Sequence, residues 1–210
     1  MIFINLKNYR LGNGALDLVQ KIGLYCNKAA VVVNAVDIKE IVKNTNMQVY
    51  AQHVDYREPG RGTGFVIPES LIGAGAIGSL LNHSEHKVTL TDIKKTVKRC
   101  NEVGLRLIIC ASTLRQVQHL KRLNPYAIAF EDKKLIATGK SITQYKAPDV
   151  KKFVDVLKST EIIPLCGAGI TAGEDVAAAI VLGCKGVLVS SAVANTQHPE
   201  QFLKDSCSLI

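Results

Sequence analysis

No stretch of this sequence approaches the roughly 18 uncharged apolar residues that a membrane span needs. The opening residues, Met1-Ile2-Phe3-Ile4-Asn5-Leu6-Lys7, also lack the charged-then-apolar layout of a signal peptide, so an unprocessed cytoplasmic protein that meets no membrane is expected. Six cysteines are present (Cys26, Cys100, Cys110, Cys166, Cys184, Cys207), with no C-x-x-C pair and no Cys/His cluster at zinc-finger spacing. Buried, reduced thiols are expected. No Pro/Gly/Ser-rich linker or low-complexity segment interrupts the chain, which reads as a single domain over residues 1–210. Positive charge is in excess but not gathered. Lys and Arg number 26 against 18 Asp and Glu, a net +8, yet the cations are scattered (Lys21, Lys39, Lys94, Lys121, Lys151) with only short clusters such as Lys133-Lys134. Without a nucleic-acid-binding motif beside them, they argue against nucleic acid and for a small phosphorylated metabolite, whose capture a positive field speeds.

What is there is a soluble globular composition, 47% hydrophobic and 21% charged. Short β-branched runs alternate with helical stretches from end to end. The strand candidates are Ile2 to Asn5, Ala30 to Asn34, Gln48 to Gln52, Ala76 to Leu81, Leu105 to Cys110, Tyr126 to Phe130, Ile162 to Leu165 and Lys185 to Val189. Between them lie helical apolar spacings: Leu16, Val19, Gln20 and Gly23; Ile93, Val97 and Cys100; Val150, Phe153, Val154 and Leu157. Thr91-Asp92, Asp149 and the Thr171 to Glu174 stretch supply helix starts, and Gly104 and Gly183 helix stops. Unbroken apolar strands are buried on both faces and therefore parallel. Eight β-α repeats form either a closed barrel or an open doubly wound sheet. The open sheet would want G-x-G-x-x-G after its first strand, where this chain has Asn5-Leu6-Lys7-Asn8-Tyr9, so the α/β fold expected is a (β/α)8 barrel. Such barrels run to about 250 residues, so here helices and loops must be trimmed.

Reactive groups of a parallel barrel belong at the carboxyl ends of its strands. The first strand ends in Asn5 and then Lys7, which alternation places on one side, facing the mouth, if the strand stays extended that far. Lys7 there is either an anchor for an anion or a solvated charge. The fourth strand ends in Leu81-Asn82-His83-Ser84-Glu85, where a neutral imidazole can exchange protons near neutral pH or merely bond to a neighbouring loop. Glu131 ends the sixth strand, as a base among apolar walls or as a capping carboxylate. The following Asp132 to Gly139 stretch is too long for a minimal turn and could form a lid. Cys166-Gly167-Ala168-Gly169-Ile170-Thr171 and Val189-Ser190-Ser191-Ala192 end the seventh and eighth strands. Small residues ahead of helix starts let backbone N–H groups crowd around an anion, the usual phosphate seat of these barrels; close strand-helix packing is the alternative.

Asn5-x-Lys7, Asn82-His83-Ser84-Glu85, Glu131 with Ala137-Thr138-Gly139, Cys166-Gly167-Ala168-Gly169-Ile170 and Val189-Ser190-Ser191 occur in the order found in the triosephosphate isomerase family. The chain resembles that family over its whole length, and its short length with Ala51-Gln52-His53-Val54-Asp55 is similar to the compact archaeal branch. The resemblance implies interconversion of dihydroxyacetone phosphate and D-glyceraldehyde 3-phosphate through an enediolate, in glycolysis and gluconeogenesis. It implies that Glu131 removes a carbon-bound proton, that neutral His83 polarises the carbonyl, and that Lys7 stabilises developing negative charge. Asn5 would orient the substrate oxygens, Glu85 support the site, and Gly139, Gly169, Ser190 and Ser191 surround the phosphate. No metal or organic cofactor is required, because proton transfer and electrostatic stabilisation suffice.

Two departures concern the lid. Relatives carry proline directly after the base and glycine where this chain has Ala137; Asp132-Lys133-Lys134 puts a second carboxylate beside Glu131 instead. The resemblance also implies a homodimer or homotetramer, with the Tyr56 to Phe65 loop and its Thr63 inserting into a partner subunit. Other readings are a different phosphate-handling barrel enzyme, such as an aldolase or a phosphoribosyl isomerase, and a sugar-phosphate binding protein whose catalysis has decayed. An aldolase would need a Schiff-base lysine inside the barrel, and no strand candidate carries one in its middle.

Overall fold

The computed structural model describes residues 1–132 and 141–209. Eight parallel strands close into a barrel in sequence order: β1 (Ile2–Asn5), β2 (Ala30–Val33), β3 (Gln48–Ala51), β4 (Gly78–Leu81), β5 (Arg106–Ala111), β6 (Ala127–Phe130), β7 (Ile163–Gly167) and β8 (Gly186–Val189). Closure is made by β1 pairing with β8, Phe3 opposite Leu188. The helices are α1 (Asn13–Tyr25), α2 (Ile38–Asn44), α3 (Pro68–Gly73), α4 (Leu90–Val103), α5 (Leu114–Lys121), α6 (Ile142–Tyr145), α7 (Ala147–Leu157), α8 (Gly173–Val181), α9 (Ser191–Ala194) and α10 (Glu200–Cys207). The trimming expected from length falls on α2, α3, α6 and α9. No helix among the described residues is long and apolar enough to cross a membrane.

Two buried clusters divide the strand residues by alternation. Phe3, Ala30, Val32, Tyr50, Leu80, Ile108, Cys110, Ala127, Ala129, Leu165 and Leu188 fill the barrel interior. Ile2, Ile4, Val31, Val33, Ile109, Ile128 and Val187 face outward onto the helices. Both faces are buried, which is why the strands read as continuous apolar runs. Side chains fill the lower interior, and the mouth at the carboxyl ends of the strands is where a site of this fold belongs. The same period of two carries the interior columns upward: Phe3 leads to Asn5, Ala129 to Glu131, Leu165 to Gly167 and Leu188 to Ser190.

Several expectations shift in detail. The runs predicted from Ala76, Leu105, Tyr126, Ile162 and Lys185 enter the ladder one or two residues later. The buried face of α1 is Ala15, Leu18, Val19 and Ile22, while Gln20 is exposed. Helix α4 starts at Leu90, one residue before Thr91-Asp92, capped by Thr89, whose hydroxyl accepts the Asp92 N–H at 3.1 Å. Gly104 caps its end in the left-handed region, as expected. All six cysteines are free, five of them buried.

Candidate active site

The interior columns end at one small cavity of about 50 Å3 at the mouth, where Asn5, Lys7, His83, Glu131, Gly169, Ser190 and Ser191 line a common wall with Tyr9, Ala168 and Ile170. Larger hollows exist elsewhere, including one of about 410 Å3 around Arg106, Asn124 and Tyr126 at the amino ends of β5 and β6. Convergent polar groups, and not size, identify the site.

Lys7 reaches the cavity by a route alternation does not describe. Extension stops at Asn5; Lys7 takes a left-handed φ of 47°, and its N–H donates to Asn5 Oδ1 at 2.9 Å. Its carbonyl accepts from Gln52 Nε2 at 2.8 Å, and its ammonium pairs with Glu85 Oε1 at 2.6 Å. The turn thus delivers the cation to the wall already lined by Asn5.

Asn82 also sits at positive φ, 59°, and its side chain donates to the Cys110 carbonyl at 2.9 Å, tying the β4 end to β5. His83 follows, buried, and its Nδ1 accepts the Glu85 N–H at 3.2 Å. An accepting Nδ1 leaves the proton of the neutral ring on Nε2, which faces Glu131 Oε1 at 3.8 Å. Glu85 therefore serves both neighbours: its backbone selects the imidazole tautomer and its carboxylate holds Lys7. It lies outside the cavity, in the adjoining groove.

Glu131 is only 4% exposed, and its Oε2 has no hydrogen-bond partner among the described residues. A buried carboxylate oxygen without a partner is costly in a resting protein and available to a reacting group. Two neighbours not identified from sequence define its space. The buried Cys110 thiol is pushed well above its ordinary range, first by burial and then by the adjacent Glu131 carboxylate, so it stays protonated. A Cβ on Gly167 would stand 2.9 Å from Glu131 Cγ and 3.0 Å from Oε1, so the Glu131 carboxylate can lie where it does only beside glycine. Alternation along β5 and β7 was the signal that could have found both. Asp132, expected as an extra charge beside the base, has Lys146 Nζ 3.9 Å from its Oδ2.

The two loops read as anion seats differ. After β7, the N–H groups of Thr171 and Ala172 at the start of α8 are already given to Asp175 Oδ2, at 2.9 and 3.2 Å. That helix start is occupied by its own carboxylate. After β8, Ser190 precedes α9 without making a side-chain cap, and its buried hydroxyl has no hydrogen-bond partner among the described residues. Gly139, with Ala137 and Thr138 and the rest of the lid reading, lies outside the described residues. Among the described residues no group of three or more His, Cys, Asp or Glu side chains could hold a metal ion.

Beside the cavity runs a groove of about 430 Å3 that shares Asn5, Lys7 and His83 with it and adds Gln52, His53 and His86. The His53 and His86 rings stack at 4.1 Å. Burial lowers the His53 imidazole, against the opposing pull of Asp55, whose Oδ1 lies 3.2 Å from His53 Nε2.

Comparison with known proteins places this arrangement in context. The family model described as triosephosphate isomerase matches residues 1–206. The triosephosphate isomerase of Methanopyrus kandleri is 39% identical over 217 residues, covering 99% of this chain and 96% of that one. That of Methanocaldococcus jannaschii is 34% identical over the full length of both. A crystal structure of triosephosphate isomerase from Bartonella henselae superposes with a TM-score of 0.74 at 18% identity, covering 97% of this chain and 96% of that one, a likeness of fold.

Proposed function

Since the chain belongs to the triosephosphate isomerase family, we propose that its mouth cavity carries out that family's reaction with Glu131, His83 and Lys7 in distinct roles. The protein is an isomerase that interconverts dihydroxyacetone phosphate and D-glyceraldehyde 3-phosphate, a step of glycolysis. The observation that supports the assignment of roles is one cavity wall holding a carboxylate, an imidazole and an ammonium beside an uncapped Ser190.

In this reading Glu131 removes a proton from the carbon next to the substrate carbonyl. The Nε2–H of neutral His83 bonds to the carbonyl oxygen and carries protons between the two oxygens of the enediolate. Lys7, kept in place by Glu85, offsets the negative charge that develops on those oxygens, and Asn5 orients them. Gly169, Ser190 and Ser191, with Gly139, surround the phosphate. Returning the proton to the neighbouring carbon completes the exchange of aldehyde and ketone without a metal or organic cofactor. A lid over residues 132–139 would exclude water and limit phosphate loss from the enediolate. The chain works as a homodimer or homotetramer in the cytoplasm, with Thr63 of one copy entering the groove beside the active site of another.

The test is Glu131→Gln, which keeps size and hydrogen bonding while removing the base. Turnover in a coupled isomerase assay should fall by about two to four orders of magnitude, with the circular dichroism of the folded protein retained. Near-normal turnover would remove Glu131 from its role.

A further inference from the structure

Ala168 and Gly169 lie consecutively in the left-handed region, with φ of 85° and 68°, where the β7 loop meets the cavity. A residue with a Cβ resists that conformation, so Ala168 must be held there by its surroundings. The holding bonds form a closed circuit. The Ala168 carbonyl accepts the Ile142 N–H from α6 at 3.2 Å. Two residues on, Gln144 Nε2 donates to Asp175 Oδ1 at 3.1 Å. Asp175 Oδ2 accepts from Thr171 N–H at 2.9 Å, from Thr171 Oγ1 at 3.2 Å and from Ala172 N–H at 3.2 Å, just downstream of the strained pair. Asp175 itself is 3% exposed. A helix cap needs only the bonds to Thr171 and Ala172; the bond to Gln144 joins the start of α8 to α6, whose Ile142 holds the Ala168 carbonyl.

We propose that Asp175 is a positioning residue for the substrate phosphate. It clasps α6 to the start of α8 and so holds Ala168 and Gly169 in the strained geometry that turns the loop toward the ligand. Successive backbone N–H groups in such a turn form a concavity suited to an anion. With its own charge Asp175 also closes the α8 terminus to the phosphate, leaving the uncapped Ser190 side as the place for it. The proposal rests on the reading that Gly169 and Ser190 belong to the phosphate seat.

The experiment measures KM, kcat and competitive inhibition by inorganic phosphate. Asp175→Ala should raise KM and the phosphate inhibition constant together by about three- to tenfold, with kcat falling less than KM rises. Asp175→Asn should recover most of the loss, because its amide can turn its oxygen toward Thr171 and Ala172 and its NH2 toward Gln144. Gln144→Ala, which spares the helix cap, should move both constants in the same direction by about two- to threefold. Glycine at position 168 needs no clasp to hold the left-handed turn. Ala168→Gly should therefore restore phosphate binding in the Asp175→Ala background by a factor at least about threefold larger than any gain it gives alone. Phosphate inhibition within twofold of wild type in both Asp175→Ala and Gln144→Ala, with only the melting temperature lowered, would overturn the proposal while leaving the seat in place. Ser190→Ala is the control for the seat: unchanged phosphate inhibition there would displace the seat itself, and the clasp would fall with it.

Discussion

Gly167 is glycine because the Glu131 carboxylate occupies the space a side chain would take. Its missing Cβ would fall 2.9 Å from Glu131 Cγ, below ordinary contact, so Gly167→Ala must displace the base or the strand. The reacting atoms tolerate little displacement, and a shift of about 1 Å can cost two orders of magnitude in rate. Gly167→Ala should therefore lower kcat by about ten- to a hundredfold with KM changed by less than about threefold, since the phosphate-binding groups stay in place. A rise in KM with kcat preserved would show that the contact shapes the pocket and not the base. The site residues differ in how legible they were. Asn5, Glu131 and Ser190 continue interior columns past the strand ends, so period-two reading finds them. Lys7 arrives by a left-handed turn that alternation does not describe, and its place beside Asn5 follows from the Asn5 side chain accepting its N–H. Cys110 reads as an ordinary apolar strand residue and Gly167 as part of the anion-seat loop, because what matters about them is that both flank Glu131 from the strands on either side of β6.

Helix α4 shows what an element adds beyond its residues. It follows the loop that carries His83 and Glu85, and its first turn is fixed by reciprocal bonds between Thr89 and Asp92: Thr89 Oγ1 accepts the Asp92 N–H at 3.1 Å and donates to Asp92 Oδ2 at 2.7 Å. Thr89→Ala removes both and should cost about 1 kcal/mol. In a chain of this size that lowers the melting temperature by about 2–4 °C, read by calorimetry, with kcat/KM intact. A larger loss accompanied by reduced turnover would mean that the cap also anchors the His83 loop. The Thr91-Asp92 pair that the sequence offers as a helix start lies inside the first turn: Asp92 is the third helical residue, and Thr89 is the cap. Strands were the more legible elements, since burial on both faces leaves an unbroken apolar run. Their first residues were not, because Ala76 and Ile77 are as apolar as Gly78 to Leu81 but precede the pairing of β4 with β5. On α1 the expected Val19 is buried and Leu16 packs against the core, while Gln20 is exposed and the buried face runs through Ala15, Leu18 and Ile22.

At the scale of the whole molecule, the closed barrel leaves two features that answer each other. The Tyr56 to Phe65 loop is braced from within: Arg57 lies over the rings of Tyr56 and Phe65 at 4.9 and 4.7 Å, and Lys95 over Tyr56 at 4.7 Å. Its neck is closed by Asp55 N–H to Val66 O at 2.7 Å and Val66 N–H to Asp55 Oδ2 at 2.8 Å. A loop already ordered loses little entropy on docking. The groove of about 430 Å3 shares Asn5, Lys7 and His83 with the mouth cavity, so on the proposed roles an occupant of the groove would also steady those side chains. Every copy carries a net +8, so the proposed association would work against mutual repulsion, and a further cation at the loop tip would be poorly tolerated. Thr63 is exposed at that tip. Thr63→Lys should therefore reduce the mass measured by light scattering to that of one chain and lower kcat/KM by about tenfold or more, both less severely at high salt, where repulsion is screened. A variant of single-chain mass with full activity would uncouple groove from catalysis, while a variant of unchanged mass would exclude Thr63 from the interface.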